Sequence, residues 1–165
     1  MKLGKAHRDS NKSIRVATHE PVVKLICSVF DIQCVIEDGM GRSSTPLFHK
    51  LNVPVIHSFE QRLEWSHCDS CPQKGVEHHV TIGSVTESYL QTQNINWNRT
   101  LVFVDGYSNT TRLEAVKLVQ ELQPIAIVEH DAETYSEEEI QQRKHDNYVM
   151  WQYVALDPET LLYLR

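Results

Sequence analysis

Glu37, Gly39, Gly41, Ser43, Ser44 and Thr45 crowd into one short stretch that follows an apolar run and ends at Pro46. Glycines at 39 and 41 let the backbone turn sharply and approach a ligand with no Cβ in the way. Thr45 has the chemistry of a helix N-cap, and Pro46 that of the first helical position, where its missing N–H is no loss. A strand, a tight loop and a helix start therefore follow one another. The loop offers free N–H groups and hydroxyls to something held outside the strand end. Further along, Asp105 and the pair His130-Asp131 each follow a short apolar run. An imidazole suits proton transfer near neutral pH, so Asp105 or His130 could take a proton from a bound hydroxyl. A third set, Cys68 and Cys71 with His67 before them and His78-His79 after, places soft ligands at a zinc-like spacing, though one such pair says less than two.

The elements that position these groups follow from periodicity. After Pro21, the apolar residues Val22, Leu25, Ile26, Val29 and Phe30 recur at helical spacing and predict an amphipathic helix packed on a sheet. Strands are predicted at residues 35–37, 53–59, 80–82, 101–104 and 125–128, the last two as runs buried on both faces. Helices are predicted at residues 46–51 and 86–93. Thr111 and Glu114 have the spacing of a capping box, as do Ser136 and Glu139, with Arg143, Lys144 and His145 placed to suit the last turn of that final helix. Residues 151–156 and 161–164 are joined too closely to cross over a sheet and should form an antiparallel hairpin. The expectation is a three-layer α/β domain over residues 20–165 with a mostly parallel sheet, preceded by a polar arm at residues 1–19.

Composition narrows the partners. A chain of 165 residues is long enough for one real core. A formal charge of -6 argues against a surface built to bind phosphate backbones, although Lys2, Lys5, Arg8, Lys12 and Arg15 make the arm locally basic and leave nucleic acid in play. No apolar run approaches the roughly twenty residues of a membrane span, so the expected location is the cytoplasm. Cys27 and Cys34 sit on apolar segments and read as small hydrophobes.

The ordered spacing of these features resembles the class I S-adenosylmethionine (SAM)-dependent methyltransferases. Glu37, Gly39 and Gly41 match the family's acid-and-glycine motif, and Ser43, Ser44 and Thr45 resemble the variant with Ser-Thr in place of a third glycine. Glu60 stands where the family has an acid at the end of its second strand, and residues 151–164 resemble its terminal strand pair. The resemblance implies that Glu37, Gly39, Gly41, Ser43 and Ser44 hold the amino-acid end of SAM. It implies that Glu60 accepts the ribose hydroxyls and that Gly83 and Ser84 border the adenine, with Thr18 and His19 over the methionine end. In the metal-dependent oxygen methyltransferases of this family, acids at the places of Asp105 and Asp131 hold magnesium, and this chain looks similar. Asp105-Gly106-Tyr107-Ser108 departs from the Asn/Asp-Pro-Pro-aromatic motif of the amino-group base enzymes, which disfavours that chemistry.

The implied activity is methyl transfer to an oxygen, or less readily a nitrogen, of a small molecule or sugar. An NAD-type oxidoreductase shares the glycine loop and ribose acid, and a binding protein that has kept the fold without transfer is a third reading. The acceptor and the oligomeric state, a homodimer included, stay open at this point.

Overall fold

The computed structural model describes residues 19–66, 75–153 and 160–165, so Thr18, Cys68 and Cys71 lie outside the described residues. Strands β1 (Cys34–Asp38), β2 (Val55–Glu60), β3 (Glu77–Ile82), β4 (Thr100–Val104) and β5 (Ala126–His130) pair in parallel. Strands β6 (Val149–Tyr153) and β7 (Thr160–Leu164) pair antiparallel, with β7 also antiparallel to β5. The sheet order is β3-β2-β1-β4-β5-β7-β6. The chain thus leaves β1 first to one side and then to the other, and open α/β sheets hold ligands at such a reversal, beyond the strand ends.

Successive strand residues point to opposite faces, so a strand buried on both sides reads as a continuous apolar run. Val35, Ile56, Leu101, Phe103 and Val128 face α1 (Glu20–Val29) and α2 (Ser44–Lys50). Ile36, Phe59, Val102, Val104 and Ile127 face α3 (Glu87–Thr92) and α4 (Asn109–Leu122). The helix α1 begins with Pro21 in its first turn and buries Val22, Val23 and Ile26, whereas Leu25 and Val29, expected in the core, face outward. The buried stripe lies about one residue round from the expected one. No helix among the described residues is long and apolar enough to cross a membrane.

Local chemistry moves several other boundaries. The N-cap of α2 is Ser43, and Thr45 turns its hydroxyl inward. In α4 the reciprocal box is Ser108 with Thr111, one turn ahead of the Thr111–Glu114 pair, because the Thr111 hydroxyl accepts from the Ser108 amide at 3.0 Å. The box Ser136–Glu139 opens α5 (Glu137–Gln141) as expected. That helix stops before Arg143, which is buried instead of serving its last turn. Pairing with β2 also extends β3 back to Glu77, so His78 and His79, grouped by sequence with Cys68 and Cys71, belong to a strand.

Candidate active site

The loop after β1 and the loop after β4 meet at the reversal point. Gly39 has φ 95°, a conformation that favours glycine, and a Cβ added there would lie 2.7 Å from the Asp105 carbonyl carbon. Backbone bonds tie the neighbours: Gly39 N–H to the Phe59 carbonyl at 2.9 Å and Asp105 N–H to the Asp38 carbonyl at 2.7 Å. Glu60 closes the crevice from β2. Its carboxylate accepts from the Met40 amide at 3.0 Å and the Arg62 amide at 2.8 Å. The structure thus brings together the glycine loop and the acid twenty residues on. Ser84, after β3, accepts from Gln61 beside Glu60 at 2.7 Å.

Two of the expected ligand residues turn inward in the structure. Glu37 is fully buried, and its oxygens are occupied by the hydroxyls of Ser44, Thr45 and Ser58 at 2.6 to 3.0 Å. Ser44 is 1 % exposed, so Glu37 and Ser44 form an inner brace beneath the loop, while Ser43 remains on the surface. Reading the strand as ending at Glu37 overlooked Asp38, which alternation sends to the opposite face. It helps to line, with Ser84, Val85 and Thr111, a cavity of about 100 Å³ beside α4. Burial, and then the charges of Glu60 and Asp105, outweigh a bond from the Val85 amide and push the Asp38 carboxyl up to about 6.

A second cluster lies at the ends of β4 and β5. His130 Nδ1 is 3.4 Å from Asp105 Oδ1 and 3.3 Å from Asp131 Oδ1. Burial favours the neutral ring, but the hydrogen bonding and charge of Asp105, then the charge of Asp131, hold the His130 pKa above its ordinary value. Asp131 adopts a left-handed φ of 59°, and residues held there often mark a functional loop. Arg112 is buried with Nη2 3.0 Å from Asp131 and 3.5 Å from Asp105. The sequence signal for it is helical phase, since it faces inward one turn after the Ser108 cap. His19 packs edge-on against His130 with ring centroids 4.7 Å apart. Tyr107 is exposed and carries the Arg62 guanidinium 4.4 Å above its ring, whereas the Tyr135 hydroxyl turns inward to Glu129. Burial pushes the Cys27 thiol up to about 11 and the Cys34 thiol to about 12, as inert packing groups.

This sheet order, with β7 reversed, is that of the class I SAM-dependent methyltransferases, and the chain has their Rossmann-like fold. No family model matches the chain, and no curated protein matches it in sequence. Among solved structures it is similar to an O-methyltransferase from Bacillus cereus in complex with S-adenosylhomocysteine (SAH), with a TM-score of 0.62, 12% identity, and coverage of 90% of this chain and 81% of that one. An rRNA methylase from Streptococcus thermophilus gives 0.62 and 14%, covering 93% and 98%. TrmK from M. capricolum, in complex with SAH, gives 0.59 and 12%, covering 86% and 66%. At these identities the likeness is one of fold.

Proposed function

We propose that this protein is a SAM-dependent methyltransferase acting on an oxygen, or less readily a nitrogen, of a small molecule or sugar. The observation that carries this reading is the Glu60 carboxylate facing the Met40 amide at 3.0 Å across the reversal point. A carboxylate there has oxygens enough for both hydroxyls of a ribose, and the glycine loop supplies amides for the other end of the cofactor. Ser84 and the Asp38 cavity border the nucleoside base. A parallel sixth strand would continue a dinucleotide-binding sheet. The antiparallel β7 in that place favours the methyltransferase over the NAD-type oxidoreductase.

When bound, SAM would supply an electrophilic methyl group to an acceptor oxygen or nitrogen and become SAH. The proton released by the acceptor would pass to His130. Asp105 and Asp131 would orient the imidazole and stabilise it once it is protonated, while Arg112 bridges the two carboxylates. Because the His130 pKa is raised, the neutral base appears only as pH climbs above its ordinary value. Turnover should therefore rise through a limb above that value, and His130→Gln should remove the limb. A limb that persists in the variant assigns the proton to another group.

A second reading is favoured by the ligand atoms of Asp105, His130 and Asp131, which all lie within 4.8 Å of one another. Such a set would hold a divalent cation, magnesium or a similar ion, that lowers the pKa of an acceptor hydroxyl. The guanidinium of Arg112 would have to give up its bridge to admit it. Metal analysis before and after chelation, with turnover measured alongside, separates the two.

Calorimetric titration with SAM, SAH and NAD tests the main reading. SAM and SAH should bind at about micromolar strength. Glu60→Gln should weaken both by about tenfold or more, the worth of a charge-assisted hydrogen bond. Binding of NAD alone, or of none of the three, would remove the assignment. Labelled-methyl transfer to sugars, phenols and nucleic acids then identifies the acceptor.

A further inference from the structure

The brace beneath the glycine loop continues into a chain of hydrogen bonds. Ser58 Oγ lies 2.6 Å from Glu37 Oε2 and 2.9 Å from His78 Nε2. His78 Nδ1 lies 3.0 Å from His49 Nε2. Proton inventory fixes the direction. A serine hydroxyl has one proton, and Ser58 gives it to the ionised Glu37, so it must accept from His78 Nε2–H. That leaves His78 Nδ1 bare to accept from His49 Nε2–H. The chain ends at His49 Nδ1, an acceptor with no partner among the described residues, on a residue only 1 % exposed. Burial lowers the pKa of both imidazoles, that of His78 to about 4 with the charges of His49, His79 and His57 adding to it, so both rings are neutral.

Such a chain can carry a proton with no heavy atom displaced. A proton arriving at His49 Nδ1 releases its Nε2 proton to His78, His78 passes its own to Ser58, and the Ser58 proton moves to Glu37. The recipient matters because Ser44 and Thr45, which Glu37 anchors, are the first residues of α2 and follow the glycine loop directly. The groups that bear on Glu37 are Ser44, Thr45 and His49 from α2, Ser58 from β2, His78 from β3 and the charge of Asp105 after β4. On the other face His57 stacks on His79, which pairs with Glu77, and these rings act on His78 by charge.

We propose that Ser58, His78 and His49 are positioning residues for the glycine loop: they orient Glu37 so that it anchors the start of α2, and they carry the proton whose arrival loosens that anchor. What the loop binds rests on the methyltransferase reading; the relay itself does not. Burial pushes the Glu37 carboxyl up to about 7 against the pull of its three hydroxyl donors, so the step falls near neutral pH.

Imidazole ¹⁵N spectra of the intact protein should show His49 and His78 as Nε2–H tautomers while Glu37 is ionised. Amide hydrogen exchange over residues 40–48, corrected for its intrinsic pH dependence, should quicken about fivefold as pH falls through the Glu37 step, the worth of one hydrogen bond. His78→Phe should abolish that change. His78→Gln, whose amide can donate to Ser58 and accept from His49 but cannot pass a proton on, should restore the basal protection of residues 40–48 that His78→Phe loses while leaving the step absent. An Nδ1–H tautomer at His78 overturns the proposal and can be read without any variant, as does an exchange step that survives His78→Phe. Titration with SAH in parallel keeps the claims apart, because an intact step in a protein that binds no SAH leaves the relay standing and removes the cofactor.

Discussion

Arg143→Met is expected to destabilise the protein by about 3–5 kcal/mol, because it leaves a carboxylate buried and uncompensated. Arg143 and Glu129 are both wholly inaccessible, with Arg143 Nε 3.0 and 3.1 Å from the two Glu129 oxygens. The same carboxylate accepts from the hydroxyls of Tyr135 and Tyr163, each at 2.7 Å, and the guanidinium lies 3.7 Å above the Tyr135 ring. Burial and then the Glu129 charge push the Tyr163 hydroxyl far above its usual pKa, so it donates at every accessible pH. Removing the cation therefore leaves the anion with two neutral donors in a dry core. The double variant Glu129→Gln/Arg143→Met should recover much of the loss, since an amide there is neutral. Urea unfolding of the two singles and the double closes the cycle. A single Arg143→Met loss below about 1 kcal/mol would mean that the buried pair adds little net stability to the fold. The effect should reach the candidate site, because Glu129 precedes His130 on β5 and the network ties that strand to β7.

The frame of the site was legible because it depends on the order of elements. An apolar run before Gly39, another before Glu60, and two more before Asp105 and His130 suffice to bring those residues to one sheet edge. What was not legible depends on phase. Glu37 and Asp38 are neighbours, and only the pleat decides that one is sealed among hydroxyls while the other lines a cavity. Arg112 turns inward because α4 starts at Asn109 under a Ser108 cap; a start at Thr111 would rotate it away. His78 looked like part of a cysteine-rich loop because the signal for β3 is weak on an edge strand whose side chains are largely exposed. The burial of Arg143 has no local signature. A cation just past a helix end is the usual dipole partner, and only the distant Glu129 turns it into a core residue.

Gly39→Ala should be the most damaging change at the loop, with a loss of about 3–5 kcal/mol and of SAH binding together. Two costs add. The left-handed φ of 95° strains any residue with a Cβ, and that Cβ would meet the Asp105 carbonyl and come within 3.1 Å of the Gly106 amide nitrogen. Both obstacles are backbone, so relief requires the β1 and β4 loops to separate. Separation would break the bond from the Asp105 amide to the Asp38 carbonyl and move Met40 from Glu60. Gly83→Ala isolates the strain, because Gly83 has φ 133° with nothing within 4 Å of its Cβ position. It should cost only about 1 kcal/mol. Gly41→Ala meets only Ser44 Oγ closely, the tip of a side chain that can turn, though turning it takes one donor from Glu37. Thermal melts should rank the three with Gly39→Ala lowest, by about 10 °C. Were Gly39→Ala to melt with Gly83→Ala and still bind SAH at wild-type strength, the close approach of the two loops would have no part in holding the crevice, and Glu60 would have to be set by β2 alone.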